Sequence, residues 1–394
     1  MTNRWVILAI LFTARVAMAF QFQSVAAVSQ FLIVDLALDY AQFGLLVGIY
    51  MLPGVVISLP GGMLGARFGD KNIALCGLVL MIVGGAMTGL ADQYAMALGG
   101  RLVSGIGAVL LNVMLTKMTT DWFAGREIIT AMAILVSSWP LGIGLALTIE
   151  PLLAAAHSWS VALHATAAGA LLGLLFIAVV YRPVASAAAS KAGSLLSGIT
   201  QRELVCVSLA GLVWALYNVS YILLVSFAPA LLIARGLSTA DAGFATSLAT
   251  WTLMVSLPLG GVVIERIGRP VALIAISLVL MGLAIALVAI AGDSRWIIAI
   301  AGLVSGIPAG AVMALPAQVL RPQNRSQGMG VFFTWYYLAM ALLPPVAGHL
   351  LDLSGDARVP LLFAACLSFV TVGIVGTFAA FRLAPSSSSI VKAT

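Results

Sequence analysis

Twelve apolar runs, each long enough to cross a bilayer as a helix, leave this chain almost no choice of fold. A hydrocarbon core about 30 Å thick needs roughly 20 consecutive apolar residues per helical crossing. Hydropathy predicts a first set of spans at Trp5–Val34, Phe43–Ala66, Ile73–Leu90, Tyr94–Met118, Ile128–Pro151 and Ser160–Tyr181. A second set is predicted at Leu204–Ala234, Ala240–Ile264, Val271–Ala291, Trp296–Leu320, Gly328–Leu350 and Leu361–Phe381. Only 8% of the 394 residues are charged and 62% are hydrophobic, too few charges to cover a soluble surface. Between the sixth and seventh spans, Arg182–Arg202 is rich in Ala and Ser and shows no apolar periodicity. The expected division is therefore residues 1–181, a linker at 182–203, and residues 204–394.

Lys and Arg placement sets the expected orientation. With both termini cytoplasmic, fourteen cations lie on the inner side: Arg4, Arg67, Lys71, Lys117, Arg126, Arg182, Lys191, Arg202, Arg266, Arg269, Arg321, Arg325, Arg382 and Lys392. Only Arg235, Arg295 and Arg358 lie outside, a strong positive-inside bias that also fits an even number of spans. The net charge of +6 thus reflects topology, and no basic run points to nucleic acid. Ala17-Met18-Ala19 imitates a signal-peptide cleavage site, but Arg15 interrupts the apolar region such a signal needs, so this stretch reads as an uncleaved first span. The short loops favour a bacterial inner (plasma) membrane, with the lipid bilayer as a partner.

The two halves repeat each other. Ser58-Leu59-Pro60-Gly61-Gly62, four residues, then Arg67-Phe68-Gly69 closes the second span. Ser256-Leu257-Pro258, one extra Leu, Gly260-Gly261, four residues, then Arg266-Ile267-Gly268 closes the eighth. Matching loops half a chain apart imply duplication. The expected fold class is an all-α membrane protein, twelve transmembrane helices in two six-helix bundles related by pseudo-two-fold symmetry.

At these loops the chain resembles the major facilitator superfamily of secondary transporters. The family loop Gly-x-Leu-Ala-Asp-Arg-x-Gly-Arg-Lys is matched by Gly62-Met63-Leu64-Gly65-Ala66-Arg67-Phe68-Gly69-Asp70-Lys71. Its second copy is Gly261-Val262-Val263-Ile264-Glu265-Arg266-Ile267-Gly268-Arg269. The resemblance implies a cytoplasmic gate at Arg67, Asp70, Glu265, Arg266 and Arg269. Ala66 stands where the first copy should carry its acid, with Asp70 as a substitute. Arg101-Leu102-Val103-Ser104-Gly105-Ile106-Gly107 on the fourth span matches a second family element. Within the superfamily the chain is similar to the cyanate and nitroimidazole transporter group and to the anion–cation symporters, on Gly107 through Asn112-Val113 and on Trp139-Pro140-Leu141-Gly142. The resemblance also implies that spans one, four, seven and ten line a central cavity.

Arg15 and Arg101 fall about midway along their apolar runs, with no Asp or Glu expected at comparable depth. A cation near the bilayer centre costs roughly 2.5–3.5 kcal/mol, so such residues face a wet cavity and act there. Two unpaired cations point to an anionic substrate, since the planar guanidinium fork takes an oxyanion bidentately. At 3.6 residues per turn Asn112 shares the Arg101 face, and Gln23 borders the Arg15 face. Trp214, Tyr217, Asn218 and Tyr221 form one stripe of the seventh span, while Trp251 and Trp335-Tyr336-Tyr337 add aromatic groups. The expected binding set is Arg15, Arg101, Asn112, Gln23, Tyr217, Asn218, Tyr221, Trp335 and Tyr336. For Arg101 a packing role stays open, and for Arg15 a pairing with the span-end acid Glu150.

The function expected is secondary active or facilitative transport of a small organic or inorganic anion by alternating access, by a monomer, with protons or a counter-anion as coupling partners. The alternative is a proton-coupled exporter of drugs or other lipophilic or cationic compounds, which would normally carry an intramembrane acid. Enzyme activity, cofactors and metals are not expected. Cys76, Cys206 and Cys366 lack ligand spacing, and His157, His164 and His349 lie toward span ends. Gly306-Ile307-Pro308 and Pro344-Pro345 are expected to let helices bend.

Overall fold

The computed structural model describes residues 3–57, 61–123, 127–183, 199–291, 295–321 and 324–383. Ser58–Pro60 of the first loop motif, most of the linker, Arg126, Lys191 and Lys392 lie outside the described residues. Among the described residues twelve segments are long and apolar enough to cross a membrane. In order they are Arg4–Ala27, Tyr40–Ile57, Asp70–Gly89, Tyr94–Phe123, Thr130–Ala156, Trp159–Val180, Gln201–Ala234, Thr239–Ile264, Pro270–Ile290, Arg295–Gln318, Gln327–Ser354 and Val359–Arg382.

Local chemistry sets their ends. Capping boxes, Asp39 with Gln42 and Thr200 with Glu203, start the second and seventh spans by satisfying backbone N–H groups that a helix leaves orphaned. Gly268 and Gly355, at φ 69° and 64°, end the eighth and eleventh in a left-handed conformation that favours glycine. The tenth span breaks around Ile307-Pro308, between helices Arg295–Gly306 and Ala309–Ala314, as the proline there leads one to expect. Pro344 and Pro345 instead remain inside one continuous helix, Arg325–Ser354.

One boundary changes the functional argument. Pro151 does not end the fifth span; the helix runs on to Ala156. A proline inside a helix frees the carbonyl four residues earlier, here Leu147. That carbonyl faces Gly243 of the eighth span, where an added Cβ would lie 2.7 Å from it. Glu150 therefore sits within the helix and is 0% exposed, which corrects the expectation that no carboxylate is buried inside a span.

Equivalent helices pack in equivalent ways in each half. The first span lies against the fifth and sixth, as the seventh does against the eleventh and twelfth. The third lies against the fourth and sixth, as the ninth does against the tenth and twelfth. The glycines of the Arg-x-x-x-Gly-x-Gly element explain some of the closeness: Gly105 abuts the Tyr50 carbonyl and Gly107 the Gly77 carbonyl, leaving no space for a Cβ.

Let the near face be the one holding Arg4 and Leu383, and the far face its opposite. The two bundles meet in their far halves, second span against eleventh and fifth against eighth. Gly48 abuts the Ala341 carbonyl and Gly348 the Tyr40 carbonyl. Asp352 accepts from the Tyr40 and Ala41 N–H groups at 2.8 and 2.7 Å, capping the second span across the seam. Gln23 donates to the Val225 carbonyl at 3.3 Å, and Phe43 meets Phe227 edge-on at 5.4 Å. Among the described residues, near-face ion pairs lie within one bundle: Arg4 with Glu127, Lys117 with Asp70 and Asp121, and Arg321 with Glu203. The far face is sealed.

Candidate functional site

The two buried arginines have different fates. Arg101 is 1% exposed, and its guanidinium is fully engaged in packing. Nε donates to the Leu46 carbonyl at 2.9 Å, while the two terminal nitrogens donate to Gln21 and Phe22 carbonyls at 2.7 and 2.8 Å. The cation also stacks over Tyr50, 4.5 Å from the ring centroid. Arg101 ties the fourth span to the first and second. Of the two roles the sequence left open for Arg101, substrate binding and packing, these contacts favour packing. The reason is level rather than face. Arg101 and Asn112 do lie on one stripe, but eleven residues separate them by about 16 Å along the helix.

Arg15 makes no hydrogen bond or ion pair with any described group, and its Nε is buried without a partner. Its side chain is half-buried and lies within electrostatic range of the Tyr336 and Tyr337 phenols on the eleventh span. The Tyr337 hydroxyl in turn faces the Asn112 amide, whose Oδ1 is buried with no hydrogen-bond donor among the described residues. Three spans thus bring one cation, two phenols and one amide together. Tyr336 continues into an aromatic wall, 5.1 Å from Tyr337, 6.3 Å from Trp214 and 6.4 Å from Phe333. The Tyr337 ring lies directly against Gly54, where any Cβ would collide with it.

Other expected site residues are committed elsewhere. Gln23, 1% exposed, belongs to the far seal through Val225. Tyr217 donates to the Ser305 carbonyl at 2.6 Å and Tyr221 to Thr250 Oγ1 at 2.9 Å, so both phenols brace the seventh span inside its own bundle. Asn218 is half-buried and donates to the Trp214 carbonyl one turn back at 2.7 Å. Trp335 is half-buried and packs against Gly211. Of the nine expected residues, Arg15, Asn112 and Tyr336 come together. Tyr337, which joins them, was legible only as part of an aromatic triplet. Glu150 does not pair with Arg15; the charged group within its reach is Arg101.

Gate residues also act within their own halves. Asp70 pairs with Lys117 of the fourth span, which reaches Asp121 at 3.3 Å as well. Lys71 donates to the Ala178 and Tyr181 carbonyls at the end of the sixth span, at 2.8 and 2.9 Å. Arg67 stacks over Phe68 at 5.3 Å, and Arg266 and Arg269 are exposed. The Glu265 side chain lies outside the described residues.

Comparison with known proteins agrees with this architecture. The model of the Major Facilitator Superfamily matches residues 10–238 and 204–393. The chain is 26% identical to the hexuronate transporter of Bacillus subtilis over 127 residues, 32% of this chain and 30% of that protein. It is 29% identical to the inner membrane transport protein YajR of Escherichia coli over 136 residues, 33% of this chain and 30% of that protein. Each match thus spans less than a third of the relative's length. A longer match, 23% identical over 385 residues, covers 90% of this chain and 82% of the lysosomal dipeptide transporter MFSD1 of Danio rerio. Among solved structures the nucleoside transporter NupG superposes with a TM-score of 0.77 at 17% identity, covering 96% of this chain and 100% of that one. A bacterial homolog of the lysosomal transporter Spinster, inward-facing and occupied, superposes with a TM-score of 0.76 at 16% identity, covering 97% of each.

Proposed function

Because this chain belongs to the Major Facilitator Superfamily of transporters, we propose that it carries a small organic anion, held at Arg15 between the two bundles. The observation carrying this reading is the state of Arg15: deep in the first span, without a counter-charge among the described residues, beside the neutral donors Tyr336 and Tyr337. A carboxylate would accept two parallel N–H bonds from the guanidinium and further bonds from the phenols. The Asn112 amide would take the polar body of the molecule, and Tyr336 with Trp214 its apolar side. Arg101 acts as a packing clamp and leaves the binding set. The hexuronate relative transports a carboxylate-bearing sugar, which supports the class.

Alternating access follows from the same charge. Sealing Arg15 away from water without a partner is costly, whereas sealing it with a bound carboxylate is much less so. An occupied site therefore lowers the barrier to closing the near half, and the bundles then part at the far seam. With the cation excess on the near side, that side is cytoplasmic and the conformation opens inward, with both termini in the cytoplasm of a bacterial inner membrane. The transporter acts as a monomer.

Thermal stabilisation by a ligand panel tests the assignment. D-Glucuronate and other small carboxylates raise the melting temperature of the wild type, and Arg15→Gln removes that shift. Stabilisation by choline or uridine alone, or an unchanged carboxylate shift in Arg15→Gln, would overturn it.

A further inference from the structure

Glu150 is the second ionisable group that the packing leaves without a partner. It is 0% exposed, and neither carboxyl oxygen has a hydrogen-bond partner among the described residues. At 100° per residue, with Gly142 as origin, Glu150 falls at about 80°, Leu147 at about 140° and Gly144 at about 200° around the fifth span. Gly142 abuts the first span at Val16 and Ala19, whereas Gly144 faces Trp251 and Leu147 faces Gly243, both on the eighth. Glu150 therefore sits where the first span gives way to the eighth, at the sealed far seam between the bundles.

Several ionisable groups lie on the elements packed against the fifth span. Those at mid-depth or in the far half are Arg15 on the first, Tyr94 and Arg101 on the fourth, His164 on the sixth with His157 before it, and Asp241 at the start of the eighth; Arg4, Lys117, Asp121 and Arg266 lie at the near face. Among the described residues Arg101 is the charged group that reaches Glu150 electrostatically, and three of its five N–H groups already serve backbone carbonyls. His164 is turned to Ser160, and Asp241 to Ser238.

We propose that Glu150 is a proton-binding site whose occupancy controls the far seam: the closed seam holds the neutral acid, and opening hydrates the carboxylate beside Arg101. The physical argument is the burial cost. Closing the seam on a carboxylate withdraws a charge from water with no donor to receive it, while closing it on the neutral acid does not. Proton binding from the far side thus favours closure there. One proton binds as the far seam closes and leaves to the same side as it opens, at a residue outside the Arg15 cluster. This site does not depend on the anion reading, and a proton is the only probe it needs.

The test is a far-seam distance measured against pH without added substrate. Spin labels go on Ala156→Cys and Ala240→Cys, with Cys76→Ser, Cys206→Ala and Cys366→Ser, in the full chain reconstituted into liposomes. The expected wild-type result is a rising open fraction on alkalinisation, approaching a tenfold change in open-to-closed ratio per pH unit for one proton. Glu150→Gln stays closed throughout, and Glu150→Asp retains a titration. An equal pH response in Glu150→Gln, a flat wild-type profile, or a flat Glu150→Asp beside a titrating wild type would each overturn the proposal.

Discussion

Replacing each buried arginine by glutamine should give opposite outcomes, and the contrast follows from counting partners. Arg101→Gln removes a cation that donates to three carbonyls on two neighbouring spans and stacks on Tyr50. A hydrogen bond from a charged donor contributes about 1.5–3 kcal/mol, and the three are not additive. Some of the loss is recovered because a buried charge disappears. A net destabilisation of roughly 3–5 kcal/mol remains, comparable to breaking a buried ion pair. Arg15→Gln removes an unpaired cation with no partner to lose, so stability should hold or rise rather than fall. Fluorescence-detected unfolding of the purified variants in one detergent measures both. If Arg101→Gln melts with the wild type, the clamp is not what holds the fourth span. If Arg15→Gln falls as far as Arg101→Gln, Arg15 is a packing residue and the binding argument fails.

Two further outcomes follow from contacts at the seam. Gly54→Ala places a methyl group against the Tyr337 ring and should push that phenol away from Arg15; carboxylate stabilisation should drop at least tenfold in apparent affinity while the protein stays folded, and unchanged affinity would separate Tyr337 from the site. Asp352→Asn keeps the shape of the second-span cap but loses its charge and one of its two acceptor oxygens, and a charged cap contributes about 1 kcal/mol at a helix N-terminus. Spin labels across the far face should then report a larger open fraction, and an unchanged distance distribution would remove Asp352 from the latch.

The fold was legible because a bilayer imposes it. Span number, the halved organisation and the break at Pro308 all follow from apolar length and helix chemistry. The site was less legible, since periodicity reports which face a residue occupies but not which neighbour meets it at that level. Arg101 illustrates this: it shares a stripe with Asn112 yet lies on the order of 16 Å farther along the helix, against the first-span carbonyls. Gln23 and Tyr221 mislead similarly, because only tertiary contacts reveal that their polar groups are spoken for. Glu150 reads as a span-end acid from hydropathy, which closes the fifth span at Pro151. The available hint was the apolar stretch Leu152 to Ala156, long enough to carry the helix another turn.

Uptake of radiolabelled D-glucuronate by proteoliposomes, wild type beside Arg15→Gln, bears most directly on an anion carried at the first-span guanidinium. Concentrative or exchange uptake by the wild type, abolished in the folded Arg15→Gln protein, is the expected result. Uptake of equal rate in both proteins would contradict it.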